Sequence, residues 1–241
     1  MPFRTVLYRL ALAGTLASAI AVGGCATGPY ADPRDPLEPF NRGVFQFNQD
    51  VDQAFIEPLA RGYNAIMPGP ANQGVTNFFN NLRDVTSAVN NLLQLKIGRA
   101  FSDVGRVAIN TTVGILGLID VASNMNLPSY KEDFGQTLGV WGFGSGPFIG
   151  WPIIGPSSGR DTVALVADLF TDPVTYIDDS GTRWALRGLN LIDTRADLLS
   201  ASRVVDQGAL DPYAFIRDAF LQRRESLVHD GNPPEEGDLN P

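Results

Sequence analysis

Few side chains in this sequence have the type and spacing needed for catalysis. His229 is the only histidine. It opens a polar, acidic, Pro-rich tail, residues 229–241, whose composition predicts disorder. A zinc site needs clustered His or Cys ligands, and one of each does not supply them. Gly155-Pro156-Ser157-Ser158-Gly159 matches the Gly-x-Ser-x-Gly of a nucleophile elbow, and the order Ser, Asp, His is available. That elbow works only between a strand and a helix of an α/β sheet. Trp151-Pro152-Ile153-Ile154 precedes it, and no sheet pattern is found. A lipid-degrading hydrolase would stand or fall on Ser157→Ala. The reading is therefore non-enzymatic, with no catalytic residue, metal or cofactor; phosphate-loop and dinucleotide fingerprints are absent as well.

The cysteine has a different chemistry in prospect. Cys25, the only one, closes Val22-Gly23-Gly24-Cys25 after the apolar run from Leu10 to Ala21. Arg4 and Arg9 precede the run, and no acidic residue occurs before Asp32. A basic start, a short apolar core and small residues at the end make residues 1–24 a secretory signal. The core is too short for a stop-transfer helix. Its Gly-Gly-Cys ending resembles the lipobox of bacterial lipoproteins, where the sulfur is acylated and becomes the first mature residue. The alternative is an ordinary cleaved signal with a spare thiol.

Cleavage before Cys25 would leave roughly 217 residues, enough for one domain with a real core. The full chain carries 26 acidic and 18 basic residues. Loss of Arg4 and Arg9 takes the net charge from −8 to about −10. That excludes nucleic acid as a partner, and it excludes docking on anionic lipid through a polybasic patch. Contact with a membrane would run through acyl chains, at roughly 0.8 kcal/mol per buried methylene, and through apolar surface. Only 18% of residues are charged against 44% apolar, with 25 Gly and 17 Pro. This mixture predicts helices interrupted by turns.

The periodicity predicts an all-α chain. Residues 25–39 hold Gly28-Pro29, Asp32-Pro33, Asp35-Pro36 and Glu38-Pro39, an irregular tether behind the anchor. A single helical domain follows, residues 40–228. Val44, Phe47, Val51, Phe55, Leu59, Tyr63 and Ile66 recur at helical spacing, with Pro58 expected to kink or split that helix. A second helix, from about Asn72 to Gln94, has one apolar face and one rich in asparagine, on which only Arg83 and Asp84 are charged. Such a face suits a wet interior better than bulk solvent. Lys96–Ile109, Asp161–Phe170, Arg183–Leu199 and a last helix capped by Asp211-Pro212 complete the set. Leu138–Pro156 interleaves aromatics with glycines and prolines, which fits a re-entrant hairpin or a membrane-interface loop. Its Gly-x-x-x-Gly matches, beginning at Gly135-x-x-x-Gly139, read more readily as turn glycines than as helix packing.

Asp35-Pro36-Leu37-Glu38-Pro39-Phe40-Asn41-Arg42, with Phe47-Asn48, resembles the opening signature of the MlaA (VacJ) lipoproteins of Gram-negative outer membranes. The resemblance continues through Asn90-Asn91-Leu92-Leu93-Gln94, Asn110-Thr111-Thr112, Asp133-Phe134-Gly135-Gln136-Thr137-Leu138 and Asp211-Pro212-Tyr213. It spans about Asp35 to Arg224. Two positions depart from it: Val85 and its neighbours replace a proline usual after Asn-Leu, and Trp151 replaces an aliphatic residue.

The resemblance implies a ring of amphipathic, partly broken helices lying in the outer membrane around a polar channel and bound to a trimeric porin. It implies phospholipid transfer from the outer leaflet to a periplasmic carrier, maintaining lipid asymmetry without a cofactor. A lipoprotein that stabilises porins without moving lipid is the alternative. A polar lipid head crossing hydrocarbon needs neutral hydrogen-bonding partners. Asn77, Asn80, Asn81, Asn90, Thr111, Thr112 and Gln136 are the candidates for that path, each with capping or helix–helix bonding as its alternative role. Asp133 and Gln136, with the Gly-rich loop, would shape or gate its mouth.

Overall fold

The computed structural model describes residues 32–234, the side chains at 204, 206 and 207 excepted. The signal, Cys25, the first part of the tether and the end of the tail lie outside the described residues.

Proline and short polar side chains set the helix boundaries. Helix α1 (Glu38–Val51) carries Pro39 in its first turn and runs through one π-helical turn, Asp52–Ile56, into α2 (Glu57–Ile66). Pro58 has no N–H to give to the preceding turn. The wider π turn absorbs that loss, so the expected break takes the form of a bulge just before the proline. Helix α3 (Gly69–Leu93) starts from an extended Pro68. Leu95 then adopts a left-handed φ of 60°, which reverses the chain into α4 (Ile97–Thr112). Later helices begin on side-chain caps, each contributing about 1 kcal/mol. Asp120 caps α5 (Val121–Asn124), Asp133 caps α6 (Phe134–Val140) and Ser158 caps α7 (Gly159–Thr171). Asp179 caps α8 (Ser180–Gly208), and Asp211 caps α9 (Pro212–Val228) as its sequence predicts. Helix α3 lies along α4, α2 along α8, and α6 on α7.

Two details correct the sequence reading. The Gly-rich segment contains a small hairpin: β1 (Phe148–Trp151) pairs antiparallel with β2 (Gly155–Ser158). It is held on α1 by side-chain amides, which is why no two-residue alternation announced it. Asn41 donates to the Phe148 carbonyl at 3.1 Å and accepts from Gly150 N–H at 2.8 Å. Asn48 donates to the Trp151 carbonyl at 2.9 Å and accepts from Ile153 N–H at 2.7 Å. Second, Gly135 and Gly139 are packing glycines on α6. A Cβ at Gly139 would lie 2.6 Å from Val228 Cγ2 of α9, and one at Gly135 would lie 2.5 Å from an Arg224 nitrogen. Gly142 and Gly146, at φ 92° and 68°, are indeed turn glycines.

The burial pattern is inverted relative to a water-soluble domain. Gln136, Asn41, Asn90, Asn91, Asp35, Asp84 and Asp103 are among the largest side chains with essentially no exposure. Half of the buried apolar residues are alanines, whose small size lets helices approach until their polar groups meet. Large apolar residues face outward instead: Ile66 is 80% exposed, Phe101 73% and Leu116 66%. The Val113–Ile119 turn adds Val113, Ile115, Leu118 and Ile119 to that outer surface. Apolar surface left in water costs roughly 25 cal/mol per Å². The arrangement is favourable where the surroundings are apolar. Among the described residues no helix is long and apolar enough to cross a membrane.

Both ends of the domain reach past their expected limits. Asp35, inside the expected tether, is fully buried and accepts hydrogen bonds from Asn41, Tyr213 and Arg217. Asp230, in the expected tail, pairs with Lys96 at 2.6 Å and Arg99 at 2.5 Å.

Candidate functional site

A cavity of about 370 Å³ opens between α3, α8, the residues before α6 and the end of α7. It falls within the size range of small-molecule sites. Phe79, Leu82, Val174 and Leu186 supply its apolar lining. Thr86, Arg83, Lys131, Arg187 and Asn190 supply donors. The acidic lining residues are Glu132, Asp133, Asp168 and Asp172. A single chamber thus presents both halves of an amphiphile's chemistry.

Most of the acidic lining is already engaged. Arg224 grips Asp133 through two bonds of 2.6 and 2.8 Å, and also donates to Asp161 at 3.0 Å. Burial opposes ionisation of Asp133, but Arg224 and the Gln136 N–H hold its carboxyl below the usual range. Glu132 accepts from Gln94 at 3.0 Å and lies 3.5 Å from Lys96. Asp168 accepts the Phe134 N–H at 2.9 Å but has no ion pair among the described residues. Burial pushes its pKa up to about 6, with the Phe134 bond opposing.

That shift sets a pH dependence. Between the ordinary aspartate value and about 6, the folded chain holds a proton at Asp168 that the unfolded chain has released. Stability from this group is complete at low pH and is lost as pH rises through 6. Asp168→Asn keeps an acceptor for Phe134 and removes the charge. It is expected to raise stability at pH 7.5 by about 1 kcal/mol, after discounting for solvent screening, and to leave it unchanged at pH 3.5. Thermal melts of both proteins at the two pH values check this; an equal difference at both contradicts it.

Behind the cavity, α3 and α4 are joined by polar contacts. Arg106 donates to Asp84 at 2.8 Å, to Asp120 at 3.1 Å, to Ser123 at 3.0 Å and to the Leu127 carbonyl at 2.7 Å. Ser87 and Asn91 each donate to Asp103 at 2.8 Å. Thr137 of α6 donates to Asn90 at 2.8 Å, and Gln94 donates to Thr137 at 3.1 Å. These bonds offset part of the desolvation cost of the inward face, on which Asn91 Oδ1, Gln94 Oε1 and Asp103 Oδ1 are buried without a hydrogen-bond partner among the described residues.

The model of the MlaA lipoprotein family matches residues 33–227. The chain belongs to the MlaA lipoprotein family. One relative, from Escherichia coli strain K12, is named intermembrane phospholipid transport system lipoprotein MlaA. It is 34% identical over 223 residues, covering 90% of this chain and 87% of that protein. Its namesake from Haemophilus influenzae is 35% identical over 227 residues, 90% and 89% of the two chains. An uncharacterized protein of Rickettsia bellii is 38% identical over 195 residues, 80% and 76% of the two. A solved structure, from work on the structural basis for maintenance of bacterial outer membrane lipid asymmetry, superimposes with a TM-score of 0.70. It is 35% identical, and the match covers 80% of this chain and 98% of that one.

Within this MlaA-family fold, the residues proposed from sequence for the path separate. Asp133 lines the cavity. Asn80 touches it indirectly, accepting from Arg83 at 3.2 Å. The others bond within the protein. Asn81 donates to Thr111 at 3.0 Å, Asn77 donates to the Leu118 carbonyl at 3.1 Å, and Asn90 links α3 to α6 through Thr137. Gln136 is fully buried and donates to the Lys131 carbonyl at 3.1 Å. Thr112, on the outer surface, bonds back to Ala108 of its own helix. The physical reason is geometric: an amide on a closely packed helix face meets the neighbouring helix before it meets open space.

Ser157 lies at the junction of β2 and α7, buried, with its hydroxyl 3.1 Å from that of Thr162. That contact braces a corner. Sequence reasoning missed Lys131, Asp168, Arg187 and Asn190 as lining residues. Arg83 had left a trace, as one of only two charges on the polar face of α3.

Proposed function

We propose that this protein is an outer-membrane lipoprotein, anchored through acylated Cys25, that removes misplaced phospholipid from the outer leaflet. It passes that lipid to a soluble periplasmic carrier while seated beside a trimeric porin, and so maintains lipid asymmetry. The observation that carries this reading is the inversion of burial around a cavity that is part polar and part apolar. A rim of exposed Phe, Ile and Leu suits lipid contact, and a hydrogen-bonded interior lowers the cost of moving a polar head. The names of the E. coli and H. influenzae relatives, which place them in an intermembrane phospholipid transport system, support the same role. Direction and porin binding rest on the family resemblance.

Leu186→Trp narrows the cavity from its apolar lining. A strain lacking the native gene should show raised outer-leaflet phospholipid, read with a membrane-impermeant amine reagent, and detergent sensitivity. Wild-type protein should correct both. The variant should correct neither while still co-purifying with porin. Full correction by the variant would refute transfer through the cavity and favour a porin-stabilising role.

A further inference from the structure

Cations in this chain are mostly neutralised by design of the fold. Arg34, Arg42, Arg61, Arg106, Arg217 and Arg224 each have a carboxylate within 3.2 Å. The cavity departs from that rule. Arg83 is held only by neutral amides, donating to Asn80 at 3.2 Å and to Asn190 at 2.9 Å. Arg187 donates to Thr175 at 3.1 Å, and its nearest carboxylate, Asp172, is 3.8 Å away. The Lys131 side chain has no hydrogen bond or ion pair among the described residues. Its backbone is left-handed, φ 44°, and its carbonyl is pinned by Gln136.

The reach of Arg83 to Asn190 sets its guanidinium over α8. Asn190 is three residues beyond Arg187, and such neighbours on a helix lie about 5–6 Å apart at Cβ. Arg83 and Arg187 therefore line the same cavity from facing helices, at the edge of apolar lining, in a chain whose net charge is −8. Arg83 and Lys131 have no carboxylate partner among the described residues and Arg187 has only a long one, so this lining can take an anion with more than one acceptor oxygen. A phosphodiester offers two non-bridging oxygens, one for each planar fork.

We propose that Arg83, Arg187 and Lys131 form a phosphodiester subsite that holds the head of a phospholipid, while Leu82, Val174 and Leu186 receive the start of its chains. The subsite rests on the transfer reading and adds the group that is gripped. Asn80 and Asn190 are positioning residues, since they aim Arg83 without needing to touch the lipid.

The test uses full-length lipidated protein in detergent and three probes: dihexanoyl-phosphatidylethanolamine, dihexanoylglycerol and inorganic phosphate. Wild-type protein should bind the phospholipid at least about tenfold more tightly than either of the others, the loss expected when charge-assisted bonds go unmade. R83Q/R187Q should lose that advantage, and R83K/R187K should keep part of it. R203Q, on an exposed arginine that donates to the Leu199 carbonyl, should match wild type. Should the double variant fail to fold, Lys131→Gln at an exposed loop position takes its place. Equal binding by wild type and the charge-removed variant overturns the subsite. Dihexanoylglycerol or phosphate binding as tightly as the phospholipid overturns it too, the first assigning the cavity to acyl chains, the second to free anions. The transfer reading is scored separately: wild-type protein that fails to restore asymmetry in the deletion strain sinks transfer. A charge-removed variant that restores it fully sinks only the subsite.

Discussion

Replacing Arg106 with leucine is expected to lower stability by about 3–5 kcal/mol, the cost of leaving buried charge without its partner. Asp84 is 1% exposed and would keep only the Ser129 hydroxyl, at 2.8 Å. Burial raises the pKa of Asp120, but bonds from Ser123 and Asn110, with Arg106, bring it to about 2. Without the guanidinium that carboxyl becomes harder to ionise. The loss corresponds to a fall in melting temperature of about 6–20 °C for a domain of this size. Adding Asp84→Asn should recover part of it, because the stranded charge is then gone. A melt in detergent that does not move in Arg106→Leu would show that the α3–α4 contact is held by packing alone.

The second large effect is expected at Asp35→Ala. This carboxylate is fully buried, and it accepts from Asn41 at 2.7 Å, from Arg217 at 3.4 Å and from the Tyr213 hydroxyl. Arg217 keeps Asp32 and Asp218, each at 3.1 Å, but the tyrosine hydroxyl is left without an acceptor. The expected cost is about 2–4 kcal/mol. A local consequence follows from Asn41, which also holds the β1–β2 hairpin through Gly150 and Phe148. Hydrogen exchange at the Gly150 amide should quicken more than exchange in α3. Tyr213→Phe added to Asp35→Ala should cost less than the two changes separately, since they remove the same bond. Strict additivity, or unchanged exchange at Gly150, would contradict the role given to Asp35.

Much of the helical framework was legible because its signals are local. The three- and four-residue recurrence of apolar side chains marks α1, α2 and α3, and Asp211-Pro212 marks the start of α9 whatever it packs against. The oddity of α3 was legible too: asparagines stand where a water-facing helix carries Lys and Glu. The hairpin was hidden, because Asn41 and Asn48 on a distant helix supply bonds that alternation cannot reveal. Asp35 was read as tether for a similar reason. Asp-Pro pairs signal irregular backbone, and irregular backbone can still be buried when a Tyr and an Arg some 180 residues later close over it.

Sequence by itself determined the longer helices, their breaks and the outward greasiness of the fold, since these depend on neighbours within a few residues, while the short α5 and α6 were not legible in it. It also held enough ordered motif for family membership, which the family match over residues 33–227 bears out. Only the tertiary structure decided which polar side chains meet one another and which meet open space. Asn81 and Asn90 are of the same residue type as Asn190, yet the first two bond across tight helix contacts while the third faces the cavity beside Arg83. A side chain's partner is chosen by the distance between helices, and that distance is set by contacts far apart in the chain.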